Sequence, residues 1–182
     1  PITIHHISEA IYKIRKVLSQ CVADRFASDR DIIFMLSRGL DSSICCALGA
    51  EFAKKENKKI KTMCIGMEGG TDQLYAELVA KHLDTEHTMI LKTENEFLDC
   101  CKHRVTAKIE SYDITTNRAS TPQLLSAEEI AKNTDCKVVI VGDYSDEVCG
   151  GYNETKLAPT IEAFRERIHE LTEDIIYFDA QR

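Results

Sequence analysis

The 182-residue chain is 43% hydrophobic and 29% charged, the balance of a soluble globular protein, and its length suits one well-filled domain, residues 1–182, rather than two. Its formal net charge of −7 gives no support to nucleic-acid binding through a basic face, and no apolar stretch approaches the roughly 20 residues of a membrane span, so neither nucleic acid nor membrane is an expected partner. Eight cysteines without a Cys-x-x-Cys, with Cys45-Cys46 and Cys100-Cys101 adjacent, exclude a disulfide scaffold and point to a reducing, cytoplasmic compartment.

Pro1 stands without an initiator Met, which suggests a piece of a longer chain, and no signal peptide is present. Ile4, Ile7, Ile11, Ile14, Leu18, Cys21 and Val22 recur at three- and four-residue steps, with Lys13, Arg15, Lys16 and Gln20 between them. This predicts one amphipathic helix whose stripe packs on the sheet that follows, ending where Ala23 to Arg30 loses the pattern. His5-His6 reads as a chain start rather than a ligand pair, and the cysteine spacing is wrong for zinc. Cys21, Cys45, Cys64, Cys136 and Cys149 sit in or beside apolar runs, where a free thiol acts as a small hydrophobe.

Ile32 to Leu36 is a continuous apolar run, as expected of a parallel strand covered on both faces. It ends in Ser37-Arg38-Gly39-Leu40-Asp41-Ser42-Ser43, and Ile44 to Lys55 resumes as a helix. Ser37, Gly39, Ser42 and Ser43 thus offer hydroxyls and close backbone at a helix N-terminus, where free N–H groups and the dipole favour an anion such as phosphate. The loop is neither a Walker A nor a Gly-x-Gly-x-x-Gly sequence, and by itself it is equally a capped turn with Asp41 as the cap. After a charged connection, Lys61 to Met67 is a second strand ending at Glu68-Gly69-Gly70, and Thr71-Asp72 caps a helix through about His82. Glu86 to Leu91 is a short third strand. Thr93-x-x-Glu96 is a capping box, opening a helix that runs with breaks to Glu110.

Ser111 to Pro122 lacks an apolar pattern and is rich in hydrogen-bonding groups, which reads as a surface loop. Pro122 then opens a helix to about Asn133, and Lys137 to Val141 is a fourth buried strand. It runs into Gly142-Asp143-Tyr144-Ser145-Asp146-Glu147, where three carboxylates within five residues face water or a cation. Strands alternating with helices at this spacing predict an α/β fold, a parallel sheet flanked by helices on both faces. The loops at Ser37, Glu68 and Gly142 are then expected at one edge, with Leu36 and Val141 ending neighbouring strands. Such sheets bind ligands at the carboxyl ends of their strands, and the Glu68 loop would receive the nucleoside half of one.

Ser37 to Ser43 resembles the Ser-Gly-Gly-x-Asp-Ser loop of the N-type ATP pyrophosphatases, the PP-loop enzymes of adenine nucleotide alpha hydrolase-like fold. Together with Ile65-Gly66-Met67-Glu68, Tyr112-Asp113-Ile114-Thr115-Thr116-Asn117-Arg118-Ala119-Ser120 and Val141 to Tyr152, it occurs in the order seen in the synthetase domain of glutamine-hydrolysing asparagine synthetases. The resemblance covers nearly the whole chain, and the two long strings are its most specific parts.

That resemblance implies ATP-dependent adenylation of the aspartate side-chain carboxylate, release of pyrophosphate, and attack by ammonia to give asparagine. Backbone N–H groups of Ser37 to Ser43 would stabilise the leaving pyrophosphate. The ATP-binding set it implies is Leu36, Ser37, Gly39, Leu40, Asp41, Ser42, Ser43, Ile65 and Gly142, with Leu36, Ile65 and Gly142 on the adenosine part. Asp41 and Asp146 would hold Mg²⁺, Asp143 and Glu147 would bind aspartate, and Thr115, Thr116 and Arg118 match a mobile loop near the reaction centre. Asp41, Thr115, Arg118, Asp146 and Glu147 form the implied catalytic set. Ammonia would come from an N-terminal glutaminase domain, and a lysine near the α-phosphate would lie beyond Arg182; homo-oligomerisation would occur through the parent protein.

Three residues depart from the family pattern: Arg38 and Tyr144 stand where it has Gly, and Asp143 where it has Glu. At position 38 or 144 a large side chain either strains a positive-φ backbone or fills ligand space, and Arg38 without that strain becomes a cation beside the anion site. The departures keep two alternatives open. One is a degenerate nucleotide-binding or interaction domain without turnover, and the other is a related PP-loop amidotransferase or β-lactam-forming synthetase with another acid substrate.

Overall fold

The computed structural model describes residues 6–180, so Ile4 and His5 of the sequence reading lie outside the described residues. Strands β1 (Ile32–Met35), β2 (Lys61–Met67), β3 (Glu86–Lys92) and β4 (Val138–Ile140) form one sheet in the order β3-β2-β1-β4. Every pairing is parallel, with Phe34 opposite Thr62 on one side and Ile140 on the other. The alternation of apolar runs with helical segments therefore gave the expected architecture.

The helices are α1 (Ile7–Arg25), α2 (Leu40–Lys55), α3 (Thr71–Leu83), α4 (Glu94–Cys100), α5 (Thr106–Ile109), α6 (Ile114–Asn133), α7 (Ser145–Cys149), α8 (Asn153–Lys156) and α9 (Ile161–Ala180); a π-helical turn, Cys101–Val105, joins α4 to α5. By its contacts the chain divides into two compact units, one through Val141 and one from Gly142 on, where length alone suggested a single domain.

The continuous apolar run of β1 is divided between two faces. Phe34 and Leu36 pack with Val22, Cys46, Ala53, Ala76 and Ala80 of α1, α2 and α3, while Ile33 packs with Met63, Ile130 and Cys136. Burying both faces is what a parallel strand requires. A third cluster joins Cys100, Val105 and Leu125, with the half-buried Ile65 against it.

Four expectations need correction. The stripe of α1 does not pack on the sheet: Ile7, Ile11, Ile14, Val17 and Leu18 are exposed, and among the residues of α1 only Val22 is buried. The helix docks instead through Val22, with Phe26 just past its end against Phe34 and Phe52 at 5.9 and 4.7 Å between ring centroids, and through an Arg15–Glu51 pair at 2.9 Å. Val22 is the last member of the stripe, so the helix docks by its C-terminal end and leaves the rest of the stripe uncovered.

Thr71-Asp72 is not the cap of α3. Gly70 holds that position without a side-chain cap, its N–H bonded to Met67 O at 3.0 Å across a turn with Gly69 at φ 79°. Cys21 and Cys149 are exposed rather than apolar filler, whereas Cys64 and Cys136 are buried as expected; all eight cysteines are free.

Last, Ser111 to Pro122 is mostly helix, not loop, and Pro122 lies inside α6 instead of opening it. The polar side chains that made the segment look irregular are consumed locally: the Asp113 carboxylate accepts from the Thr116 N–H at 2.6 Å, and the buried Asn117 amide donates to Ser111 O and Asp113 O at 2.8 and 2.9 Å. The Thr93–Glu96 capping box, by contrast, is present in both directions. Among the described residues no helix is long and apolar enough to cross a membrane.

Candidate active site

The strand order places the topological switch point between β1 and β4, because the chain builds from β1 outward through β2 and β3 before adding β4 on the other side. Ligand crevices of open parallel sheets form there, outside the carboxyl ends of the strands. The loop leaving β1 at that point is Ser37 to Ser43. Leu36, fully buried, extends the pairing by one bond from its N–H to Met63 O at 2.8 Å and so fixes where the loop starts.

Hydroxyls build this loop. The buried Ser42 Oγ accepts from the Ser37 N–H at 3.2 Å, lies 2.9 Å from Ser37 Oγ, and donates to Gly39 O at 3.2 Å. Ser37 Oγ in turn accepts from the Gly39 N–H at 3.1 Å, and Ser43 Oγ donates to Gly39 O at 2.7 Å. Gly39 is the N-cap of α2, with an extended backbone and no side-chain cap, so Asp41 is a first-turn acid and not the cap. The first backbone bond closing the helix runs from Ser43 N–H to Gly39 O at 3.3 Å, which leaves the opening turn as the positive end of a 16-residue helix. Such a turn suits the phosphate oxygens of a nucleotide. Asp41 is half-buried within it, a hard oxygen ligand of the type Mg²⁺ takes singly or in pairs beside phosphate and water.

The neighbouring strand end is braced as well. Met67 O accepts from the Gly70 N–H and from the Gln73 side-chain amide, so Met67-Glu68-Gly69-Gly70 is a fixed turn beside the Ser37 loop. Arg38 Nε lies 3.3 Å from Asp72 Oδ1 in the first turn of α3, linking the two loops. Arg38 is not among the positive-φ residues, so the strain weighed for an arginine at this position does not arise.

Thr115, Thr116 and Arg118 lie in the first turns of α6 rather than on a mobile loop. Since α6 feeds β4, which runs parallel to β1, the helix runs back from the carboxyl edge of the sheet. Its side chains agree, Leu125 packing with Ile65 near the end of β2 and Ile130 with Ile33 near the start of β1. Thr106 Oγ1 donates to Asn117 Oδ1 at 2.8 Å, completing a clamp that fixes this end of α6. Thus Leu36, Ser37, Gly39, Leu40, Asp41, Ser42, Ser43 and Ile65 come together at one edge of the sheet, and the helix bearing Thr115 and Arg118 begins there.

Gly142, Asp143, Asp146 and Glu147 belong to the second unit. Tyr144 there takes φ 70°, ψ 0°, the left-handed conformation natural to the Gly that the family pattern has at this position. Tyr152 Oη donates to Glu147 Oε1, and that bond, then burial, then the charges of Glu147, Asp146 and Asp143 push the phenol up to about 12. Gly150 is at φ 68°, with an added Cβ falling 2.6 Å from Phe164 Cζ, while a Cβ on Gly151 would fall 1.8 Å from Asp146 Oδ1. The two glycines therefore serve different ends: one turns the backbone under α9, and the other leaves room for a carboxylate. Asn117, Gln73 and Gly151 were not singled out from sequence, and Asp72 was read only as part of a helix cap; Gly151 and Asn117 at least stand inside the two long strings.

The asparagine synthase family model matches residues 13–178. The chain belongs to the asparagine synthase family. A probable glutamine-hydrolysing asparagine synthetase of Acanthamoeba polyphaga mimivirus is 35% identical over 177 residues, 97% of this chain and 32% of that protein. The glutamine-hydrolysing asparagine synthetase of Homo sapiens is 36% identical over 171 residues, 93% of this chain and 30% of its own length. The chain thus spans about a third of the curated relatives it matches, the part that corresponds to a synthetase domain. Among solved structures, an NH3-dependent NAD synthetase from Campylobacter jejuni superposes with a TM-score of 0.50 at 17% identity, covering 78% of this chain and 60% of that one, which shows a shared fold.

Proposed function

We propose that this member of the asparagine synthase family carries the ATP-using half of an amide synthesis. In it the side-chain carboxylate of aspartate attacks the α-phosphorus of ATP, the bond to the β-phosphate breaks, and pyrophosphate leaves. Ammonia, delivered by a glutaminase domain of a longer protein, then attacks the acyl carbon, loses a proton and expels AMP to give asparagine. The observation that carries this reading is the Ser37–Ser43 loop at the switch point, with its serine hydroxyls, close backbone and helix N-terminus assembled where open parallel sheets bind ligands.

In this reading Ser37, Gly39, Leu40, Ser42 and Ser43 hold the polyphosphate, and Leu36, Ile65 and Gly142 contact the adenosine. Asp41 and Asp146 are the carboxylates suited to Mg²⁺, which when bound would offset the charge gathering on the leaving pyrophosphate. Thr115 and Arg118 attend the reacting groups from the first turns of α6. Asp143 and Glu147 hold the amino-acid substrate, Glu147 oriented by Tyr152. The degenerate alternative rested on Arg38 and Tyr144. Arg38 carries no positive-φ strain, and Tyr144 has taken up a left-handed conformation of the kind open to a glycine. That favours a working site.

The test is pyrophosphate release by the longer protein, with aspartate and without it. Asp41→Asn should lower the rate about 10²–10³-fold, the usual loss for a transition-state electrostatic contact, with a smaller effect on adenosine binding. An unchanged rate would remove Asp41 from the chemistry, and release indifferent to aspartate would remove that substrate.

A further inference from the structure

We propose that Arg38 is a phosphate ligand particular to this loop, held on Asp72 while the site is empty of nucleotide and transferred to the pyrophosphate end of ATP when it binds. The proposal rests on the ATP reading above and names a residue that reading does not use. The side chain of Arg38 has no structural task in its own loop. The hydroxyl network from Ser37 to Ser43 closes through Ser37, Gly39, Ser42 and Ser43 and passes Arg38 by. With no positive φ at position 38, the backbone gains nothing from a glycine there and pays nothing for an arginine.

The guanidinium pairs with Asp72, and the geometry is that of a resting place. The contact is one ion pair, Nε to Oδ1 at 3.3 Å, and the two side chains are 59% and 62% exposed. An ion pair so exposed contributes about 0–1 kcal/mol, so leaving it costs little. Asp72 loses little in return, because it stands in the first turn of α3, where the helix dipole favours a carboxylate without help. The planar fork of a guanidinium grips two phosphate oxygens in parallel, which is more than a single contact to one carboxylate oxygen asks of it. A polyphosphate offers that fork several negative charges where Asp72 offers one.

Calorimetric titration of inorganic pyrophosphate into the chain with Mg²⁺ present, and of adenosine in parallel, tests the exchange on the unaltered protein, Arg38→Gly, Asp72→Asn and the double variant. Arg38→Gly should weaken pyrophosphate about tenfold or more, the loss expected of a hydrogen-bonded charge. Asp72→Asn should tighten it up to about fivefold by removing the competitor. That gain should vanish in the Arg38→Gly background, and adenosine binding should stay the same in all four, which a merely structural role would not allow. Equal or tighter pyrophosphate binding by Arg38→Gly overturns the proposal and leaves the ATP reading standing. Failure of the unaltered chain to bind either adenosine or pyrophosphate overturns the ATP reading, and this inference with it.

Discussion

The two stretches that carry the departures from the family pattern, Ser37 to Ser43 and Gly142 to Tyr152, are held in shape by different means. The first hangs from a central strand whose inner residues are buried and is fastened by serine hydroxyls, without a residue at positive φ. The second is shaped by its backbone, with Tyr144 at φ 70° and Gly150 at φ 68° bracketing a helix of five residues. The same departure, a large residue for Gly, therefore has a different physical weight in each. It is free of conformational cost at Arg38 and carries one at Tyr144.

The comparison can be broken most severely at Gly150. An alanine there must accept a left-handed backbone and place its methyl 2.6 Å from Phe164 Cζ and 2.9 Å from Ile168 Cδ1, so Gly150→Ala should destabilise the protein by about 2–4 kcal/mol in urea unfolding. Gly151→Ala should instead swing the Asp146 carboxylate aside and lower turnover more than stability, since a flexible side chain can yield. Similar unfolding midpoints for the two variants would erase the distinction drawn between them.

In the first loop the corresponding probe is Ser42→Ala, which strips a buried partner from the Ser37 N–H, Ser37 Oγ and Gly39 O together and should cost about 1–2 kcal/mol. Ser43→Ala removes one bond to Gly39 O and should cost less. If the two serines proved equal, hydroxyl fastening would be the wrong account.

A smaller but sharper contrast lies in the two departures themselves. Tyr144→Gly should stabilise by roughly 0.5–1 kcal/mol, relief of the left-handed strain outweighing the added freedom of the unfolded chain. Arg38→Gly should destabilise by a similar amount, because only the entropic cost of glycine remains. Shifts of the same sign in thermal melts would contradict the backbone assignments at both positions.

The gentlest probe is pH, and it acts on the sheet unit through His87. Burial lowers its pKa below the usual value, its Nδ1 lies 2.9 Å from Thr62 Oγ1, and its Nε2 is buried without a partner. The unfolded chain therefore takes up the proton first as pH falls below about 6.5. Stability on this account is fully present above that pH, declines as pH drops toward the depressed folded value, and levels off beneath it. His87→Gln should flatten the decline between pH 7.5 and 5.5, and an undiminished slope would exclude His87 as its source.

The central strands were legible because burial on both faces leaves a continuous apolar run, which β1 and β2 carry openly; the run from Lys137 to Val141 is not the buried strand it looked like, since Val139 and Val141 are exposed at the sheet edge. The start of α6 was not. Its inward positions include Asn117, Thr121 and Ser126, buried polar residues whose hydrogen bonds are satisfied within a few positions along the chain, and such a face has no apolar period to detect. The stripe of α1 was read correctly as one face of a helix and wrongly as a core face, since periodicity says which residues share a side and not what covers them. At the candidate site the residue types were legible from the strings. The Arg38–Asp72 pair was not, because nothing local links positions so far apart, and its meaning turned on a φ that only the fold supplies.

The strand order also has a kinetic meaning. Ile33 pairs with Lys61, 28 residues on, whereas Ile32 pairs with Val138, 106 residues on. Closing the longer loop costs roughly 1 kcal/mol more in chain entropy, and the three-residue β4 has few bonds with which to offset it. The β1–β4 seam is therefore expected to form late in folding and to open early, as long-range pairings do. The place where the nucleotide crevice is expected is thus the last part of the sheet to be assembled, and a ligand bound across it would act as the clasp of the fold.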